Sequence, residues 1–188
     1  TMDTILFVPA VGNTIIGLTI SNKICSVNSK DTVSIFNYPT NTFTATQTFS
    51  GTSSTKAVST LNIAETANIV VGAPTSTTAF YLNNGSVQYY TSNNTTNFTL
   101  NFAFSSGTTL NAALAVGDSV SASLLVTNGS TAYYPSAFQV DGSAVSVKWQ
   151  NGVAPSVGSA SAIDAYTFAI IKTGSAAYTI IGSQTKFA

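Results

Sequence analysis

Apolar and polar positions alternate in short runs along most of the chain, with the period of two that sends successive side chains to opposite faces of a β-strand. The sharpest run sets Phe98, Leu100, Phe102 and Phe104 against Thr99, Asn101 and Ala103, and predicts a strand whose aromatic face is core. Residues 119–127 repeat the pattern, Val120, Ala122, Leu124 and Val126 opposing Ser119, Ser121 and Ser123. Residues 43–49 set Phe43, Ala45, Gln47 and Phe49 against Thr44, Thr46 and Thr48. Strands of this kind keep one face on a core and the other toward water. The nearly unbroken apolar run TIIGLTI within residues 14–21 predicts a more fully buried strand, with Gly17 a bulge or a point of close packing.

Further strands are predicted at residues 4–8, 32–38, 59–71, 79–82, 87–90, 138–140, 145–149, 166–171 and 177–181, separated by Gly, Asn, Asp and Pro. Gly12-Asn13 reads as a turn, Pro39 closes a strand, and residues 51–55 form a loop. Asn84-Gly85 predicts a hairpin between residues 79–82 and 87–90, and Asp141-Gly142 a second between 138–140 and 145–149. Both dipeptides supply the positive φ of a type I′ turn. A third hairpin is predicted around Thr173-Gly174, after a long Ser/Gly/Ala loop that runs from Asn151-Gly152 past Pro155 to Asp164. The one helical turn is expected at 108–115, where Leu110 and Leu114 stand four apart. The phrases NGSVQYY (84–90) and NGSTAYY (128–134) are alike, but one shared phrase in so biased a chain does not establish a duplication.

Many short strands at roughly ten-residue spacing predict an all-β fold, an antiparallel β-sandwich with jelly-roll-like or Greek-key connections. Gly72-Ala73-Pro74-Thr75 marks a boundary between two small domains, an N-terminal β domain at 1–72 and a C-terminal β-sandwich at 73–188.

Composition narrows the chemistry. Hydrophobic residues make up 44% of the 188, enough for a sizeable core, while only 6% are charged and His is absent. The six cations are all Lys and the net charge is zero, which excludes the phosphate-neutralising field that nucleic-acid binding needs. No run of about 18 apolar residues suggests a membrane helix, and Met2 behind Thr1 suggests that the chain begins inside a longer or processed polypeptide. Cys25 stands alone and reads as a small buried hydrophobe. Without His there is no imidazole base and no usual zinc site. The carboxylates Asp3, Asp31, Glu65, Asp118, Asp141 and Asp164 are scattered singly, as turn formers and solubilising groups. No catalytic residue, cofactor site or metal site is therefore expected.

Two aromatic groups remain. Lys148-Trp149 puts a cation beside the sole Trp, and Tyr89, Tyr90, Tyr133 and Tyr134 are the candidate interaction surface, a stacking platform for sugars or partners. Adjacent rings in a strand face opposite ways, so most of the four are expected in core or subunit packing. The Asn-x-Ser/Thr triplets at Asn84, Asn94, Asn97 and Asn128 are what so Asn-, Ser- and Thr-rich a chain contains by chance, and predict no glycosylation.

The phrases V-K-W-x-x-G-x-A-P (147–155) and Y-T-F-x-I-I-K-T (166–173) bring in a resemblance. Residues 84–188 resemble a C-terminal module of virion structural proteins of tailed phages, especially those of cyanobacterial and other aquatic hosts, and TIIGLTISN (14–22) is similar to openings of small phage particle proteins. The resemblance implies a β-rich, non-enzymatic component of a virion, at a tail, fibre or head surface, with no catalytic residue to carry over. Expected partners are further copies of the chain, a trimer in a fibre setting, and other virion proteins. Two alternatives share the composition: a module binding host-surface glycans, and a bacterial extracellular adhesin or surface-layer protein.

Overall fold

The computed structural model describes residues 63–188, the backbone of the earlier strands Ile15–Ser21 and Ile24–Ser29, and positions 53, 54, 56 and 58. The chain forms two compact units, Thr1–Thr60 and Leu61–Ala188. In the first, β1 (Ile15–Ser21) and β2 (Ile24–Ser29) pair antiparallel. Their register shifts between Ile15 and Gly17, a bulge at the glycine. β2 carries Cys25 in a stretch where no strand was expected; the burial of that side chain lies outside the described residues, as do the strands expected at 4–8, 32–38 and 43–49 and the Gly12-Asn13 turn.

The second unit is mostly β. Its elements are β3 (Ala67–Val70), β4 (Thr77–Tyr81), β5 (Val87–Asn94), β6 (Phe98–Ala103), α1 (Leu110–Ala113), β7 (Ser119–Asn128), β8 (Pro135–Val140), β9 (Ser143–Ala144), β10 (Val147–Trp149), β11 (Ile163–Gly174) and β12 (Ala177–Phe187). One sheet has the order β10-β12-β11-β7-β5-β3 and the other β4-β6-β8-β9. The expected all-antiparallel pairing is corrected: β7-β11, β11-β12 and β8-β9 are antiparallel, but β3-β5, β5-β7, β4-β6, β6-β8 and β10-β12 are parallel.

The reason lies in the connections. From β3 to β8 the chain changes sheet at every step, so strands that become neighbours are always two apart in sequence and run the same way. The segment Gly72–Thr75 is one such step, carrying the chain from β3 to β4 inside the second unit. The expected hairpin at Asn84-Gly85 is another. Instead of a type I′ turn, residues Leu82–Asn84 form a 3-10 turn and Gly85 takes φ 119°, which moves the chain from β4 to β5 in the opposite sheet. A Cβ at Gly85 would lie 2.5 Å from the Thr66 carbonyl oxygen, so the close approach requires glycine. The two similar NGS phrases make opposite crossings, one entering β5 and the other leaving β7, and are not equivalent in the fold.

Local pairing was legible elsewhere. Asp141 (φ 51°) and Gly142 (φ 80°) make the expected turn with both central φ positive, joining β8 to β9. The strand expected at 145–149 then departs, and residues 147–149 run parallel to β12 in the other sheet. The closing hairpin forms as expected, β11 on β12 from Ile163↔Phe187 to Gly174↔Ala177.

Both sheets feed one core. Phe80, Phe98, Leu100, Phe102 and Val140 come from the four-stranded sheet, and Leu124, Val126, Tyr166, Phe168, Ile170 and Ile180 from the six-stranded sheet. Phe102 meets Phe168 edge-on with ring centroids 5.0 Å apart. Each such ring stabilises the fold by about 1.5–3 kcal/mol on burial. Of the aromatic face expected at 98–104, Phe104 falls beyond the end of β6 and is 38% exposed.

Candidate interaction surface

The four tyrosines do not form a common platform. Tyr90 is buried in the core beside β7, its side chain on the same face as Val126, and burial raises its hydroxyl above the usual tyrosine value. Tyr89, next along β5, lies on the opposite face, where Thr127 Oγ1 donates a hydrogen bond to its hydroxyl at 3.3 Å. Tyr133 and Tyr134 sit in the loop before β8. Their backbone N–H groups donate to Asn128 Oδ1 and Asn97 Oδ1, each at 3.1 Å, and Tyr134 packs against the core.

The outer face of the six-stranded sheet is the broader surface, and sequence reasoning did not single it out. Burial alternates along β7 and β11, which fixes Ser119, Ser121, Ser123, Leu125 and Thr127 outward on one and Ile163, Ala165, Thr167, Ala169 and Ile171 outward on the other. Register carries the same face to Thr179, Ile181 and Ser183 of β12 and to Val87 and Tyr89 of β5. Thr167 and Ser183 hydroxyls bond across the strands at 2.7 Å. Lys148, beside Ile181 on β10, is the one formally charged residue among these outward strand positions. Trp149 faces the other way, so the adjacent cation and ring are on opposite sides of the strand. The signal was present as serines and threonines alternating with core residues, but alternation alone reads as ordinary solvation.

Charge is instead sequestered at two internal points. Asp164 is fully buried, and its Oδ2 accepts from Asn128 Nδ2 at 3.0 Å and from the Ser159 N–H at 2.8 Å. Asn128 and Asn94, paired across β7 and β5, are buried too, which closes two of the four sequence triplets to glycosylation. Tyr166, two residues along β11, is buried, and its hydroxyl is raised far above the usual value, first by burial and then by the Asp164 charge. At the other end, Lys172 is buried against α1 and Asp141 caps the same helix.

A groove of about 290 Å³ opens beside β10, between Trp149, Gln150, Asn151 and the following loop on one side and Gln184 and Lys186 of β12 on the other. Gln184 Nε2 ties the loop down, donating to the Val157 carbonyl at 3.2 Å and the Tyr166 hydroxyl at 3.1 Å. Among the described residues no group of three or more His, Cys, Asp or Glu could hold a metal ion, and no helix is long and apolar enough to cross a membrane. No protein-family model, curated protein or solved structure matches the chain.

Proposed function

We propose that the chain is a non-enzymatic structural component of a phage virion, which works by associating with further copies of itself and docking to other particle proteins. The observation that carries this reading is the outer face of the six-stranded sheet, where hydroxyl, methyl and branched aliphatic side chains predominate and a single lysine stands on the edge strand. A two-fold interface sets each patch against its own copy, so any charge near the axis meets a like charge. A face almost free of charge escapes that repulsion, which favours a second copy of this chain as its occupant. Six strands at about 4.8 Å spacing, the longest about 35 Å, give a face on the scale of the ~800 Å² per partner of a standard interface. The phrases at 147–155 and 166–173 support the assignment to a virion.

The same proposal takes the two sheets as the layers of one β-sandwich, supported by Phe102 against Phe168. From β3 to β8 its connections alternate between the layers and bring parallel strands together, while β8-β9 and β11-β12 are hairpins within a layer.

The test has two parts. Light scattering on the purified chain is expected to give a closed oligomer, converted to monomer by Ala169→Lys together with Ser121→Lys, neighbours on the outer face. Immunogold labelling of particles is expected to decorate the virion. A monomer at all concentrations, or unlabelled particles, overturns the proposal.

A further inference from the structure

The groove beside Trp149 has the chemistry of a saccharide site, and we infer that it binds an acidic sugar residue of a surface glycan. Three observations carry this. The indole is partly buried, held edge-on by Phe138 at 5.3 Å and Phe168 at 5.9 Å between ring centroids, so it is fixed in place while still lining the groove. A rigid aromatic of this kind gives the apolar face of a pyranose ring its contact without an entropic cost of ordering.

The groove is also rimmed by donors without protein partners. Among the described residues, the side chains of Gln150, Asn151 and Lys186 make no hydrogen bond or ion pair, and the indole N–H has no protein acceptor and is not a buried orphan. Amides that donate and accept side by side match the vicinal hydroxyls of a sugar.

The charge is one-sided as well. Lys186 is the only formally charged residue lining the groove, and no carboxylate lines it. Asp164 stands opposite Lys186 in the β11–β12 register, but its buried carboxylate is engaged by Asn128 Nδ2 and the Ser159 N–H and forms no ion pair with the lysine. An exposed ammonium group left out of any ion pair favours a ligand that brings a carboxylate of its own. The volume of about 290 Å³ lies at the lower end of the roughly 300–1,000 Å³ of small-molecule sites, room for one or two sugar rings.

Asn151 adds positioning. It holds φ 58°, the left-handed conformation, and with Gly152 at φ 71° turns the chain sharply at the groove's rim. Trp149, Gln150 and Asn151, consecutive in sequence, all line the groove at that turn.

Trp149 is the sole tryptophan, so intrinsic fluorescence reports on this groove alone. Titration of the full chain with oligogalacturonate is expected to give a saturable change in Trp emission with a Kd on the order of 1 mM, as expected of a single shallow sugar site. The neutral oligomer of galactose is expected to bind at least tenfold more weakly. Lys186→Ala, exposed and outside the core, is expected to keep the fold by circular dichroism and lose at least tenfold in affinity for the acidic oligomer. No saturable change with the acidic oligomer, equal response to the neutral one, or unchanged affinity in Lys186→Ala each overturns the inference. Light scattering beside the titration reads oligomeric state separately, so failure here leaves the self-association result standing, and the reverse.

Discussion

Asp141 and Lys172 hold opposite ends of the same short helix from opposite sheets. The Asp141 carboxylate accepts from the Leu110 and Asn111 N–H groups at 2.7 and 2.9 Å, and Lys172 Nζ donates to the Asn111 and Leu114 carbonyls at 2.5 and 2.7 Å. Asp141 sits in the β8–β9 turn and Lys172 in β11, so α1 is strapped between the two sheets by charges that match its dipole. Four residues would not persist as a helix alone.

Removing either strap is therefore costly. Asp141→Ala loses the cap and leaves alanine at φ 51°, for an expected loss of about 2–3 kcal/mol, while Asp141→Asn, which tolerates that φ, loses less. Lys172→Met strands two carbonyls at about 1–3 kcal/mol. Urea unfolding checks the values, and the double variant is expected to lose less than the sum because both act on one helix.

Alkaline pH is expected to unfold the protein through its tyrosines. Tyr166, Tyr90 and Tyr178 all have raised hydroxyls, each chiefly by burial, with Asp164 adding to the first and Asp141 to the last. A group whose folded value is raised stabilises the fold fully below its unfolded value, about 10 for Tyr, and loses that contribution as pH climbs past it. Thermal midpoints should be flat with respect to these groups from pH 7 to about 9, then fall. Tyr166→Phe is expected to lessen the fall.

Adjacent tyrosines should separate cleanly. Tyr90→Ala is expected to cost about 3 kcal/mol or more as a core truncation, and Tyr89→Ala about 1 kcal/mol or less, since it loses one long hydroxyl contact on the outer face. Equal losses in denaturant melts would contradict the placement of β5.

Gly158 is expected to tolerate no side chain. A Cβ there would lie 2.4 Å from the Tyr133 carbonyl oxygen and 2.9 Å from both Asn128 Nδ2 and Asp164 Oδ2, so Gly158→Ala pushes on backbone and on the buried Asp164 cluster together. The expected loss is about 1–3 kcal/mol, against almost none for Gly107→Ala, which has open space around it. Calorimetry on both variants makes the comparison.

Trp149 reads differently once its surroundings are known. As a core residue, Trp149→Ala would cost about 3–5 kcal/mol; with the indole only partly buried, about 2–3 kcal/mol is expected, below Phe168→Ala at about 3–5 kcal/mol. In the sequence the ring stands out only as the neighbour of Lys148 in an expected strand. Its share in a groove depends on Gln184 and Lys186, residues of another strand.

That division runs through the whole fold. Alternation at Phe98, Leu100 and Phe102, and at Ala122, Leu124 and Val126, gave core faces correctly because burial is written into each strand separately. Strand partners are not written that way. Asn84-Gly85 has the composition of a hairpin turn, yet the chain there crosses to another sheet because tertiary pairing of β5 with β3 and β7 outweighs the local preference. Adjacent rings on opposite faces were legible at Tyr89-Tyr90, which lies in a strand; Tyr133-Tyr134 lies in a loop, where the strand period gives no guide.

The alternation of β3 through β8 between sheets has a consequence for synthesis. Val87 pairs with Ser123 and Thr99 with Ala137, so neither sheet can be assembled by zipping up consecutive segments. The longest hairpin in the unit, β11 on β12, supplies two adjacent strands of the larger sheet and is the last part of it to be synthesised. The β7 edge of the larger sheet stays open until residues 163–171 have been made, and topologies so rich in distant pairings close slowly. With only 6% of its residues charged, an incompletely closed chain has little repulsion from its neighbours, so slow closure of these pairings favours aggregation during synthesis.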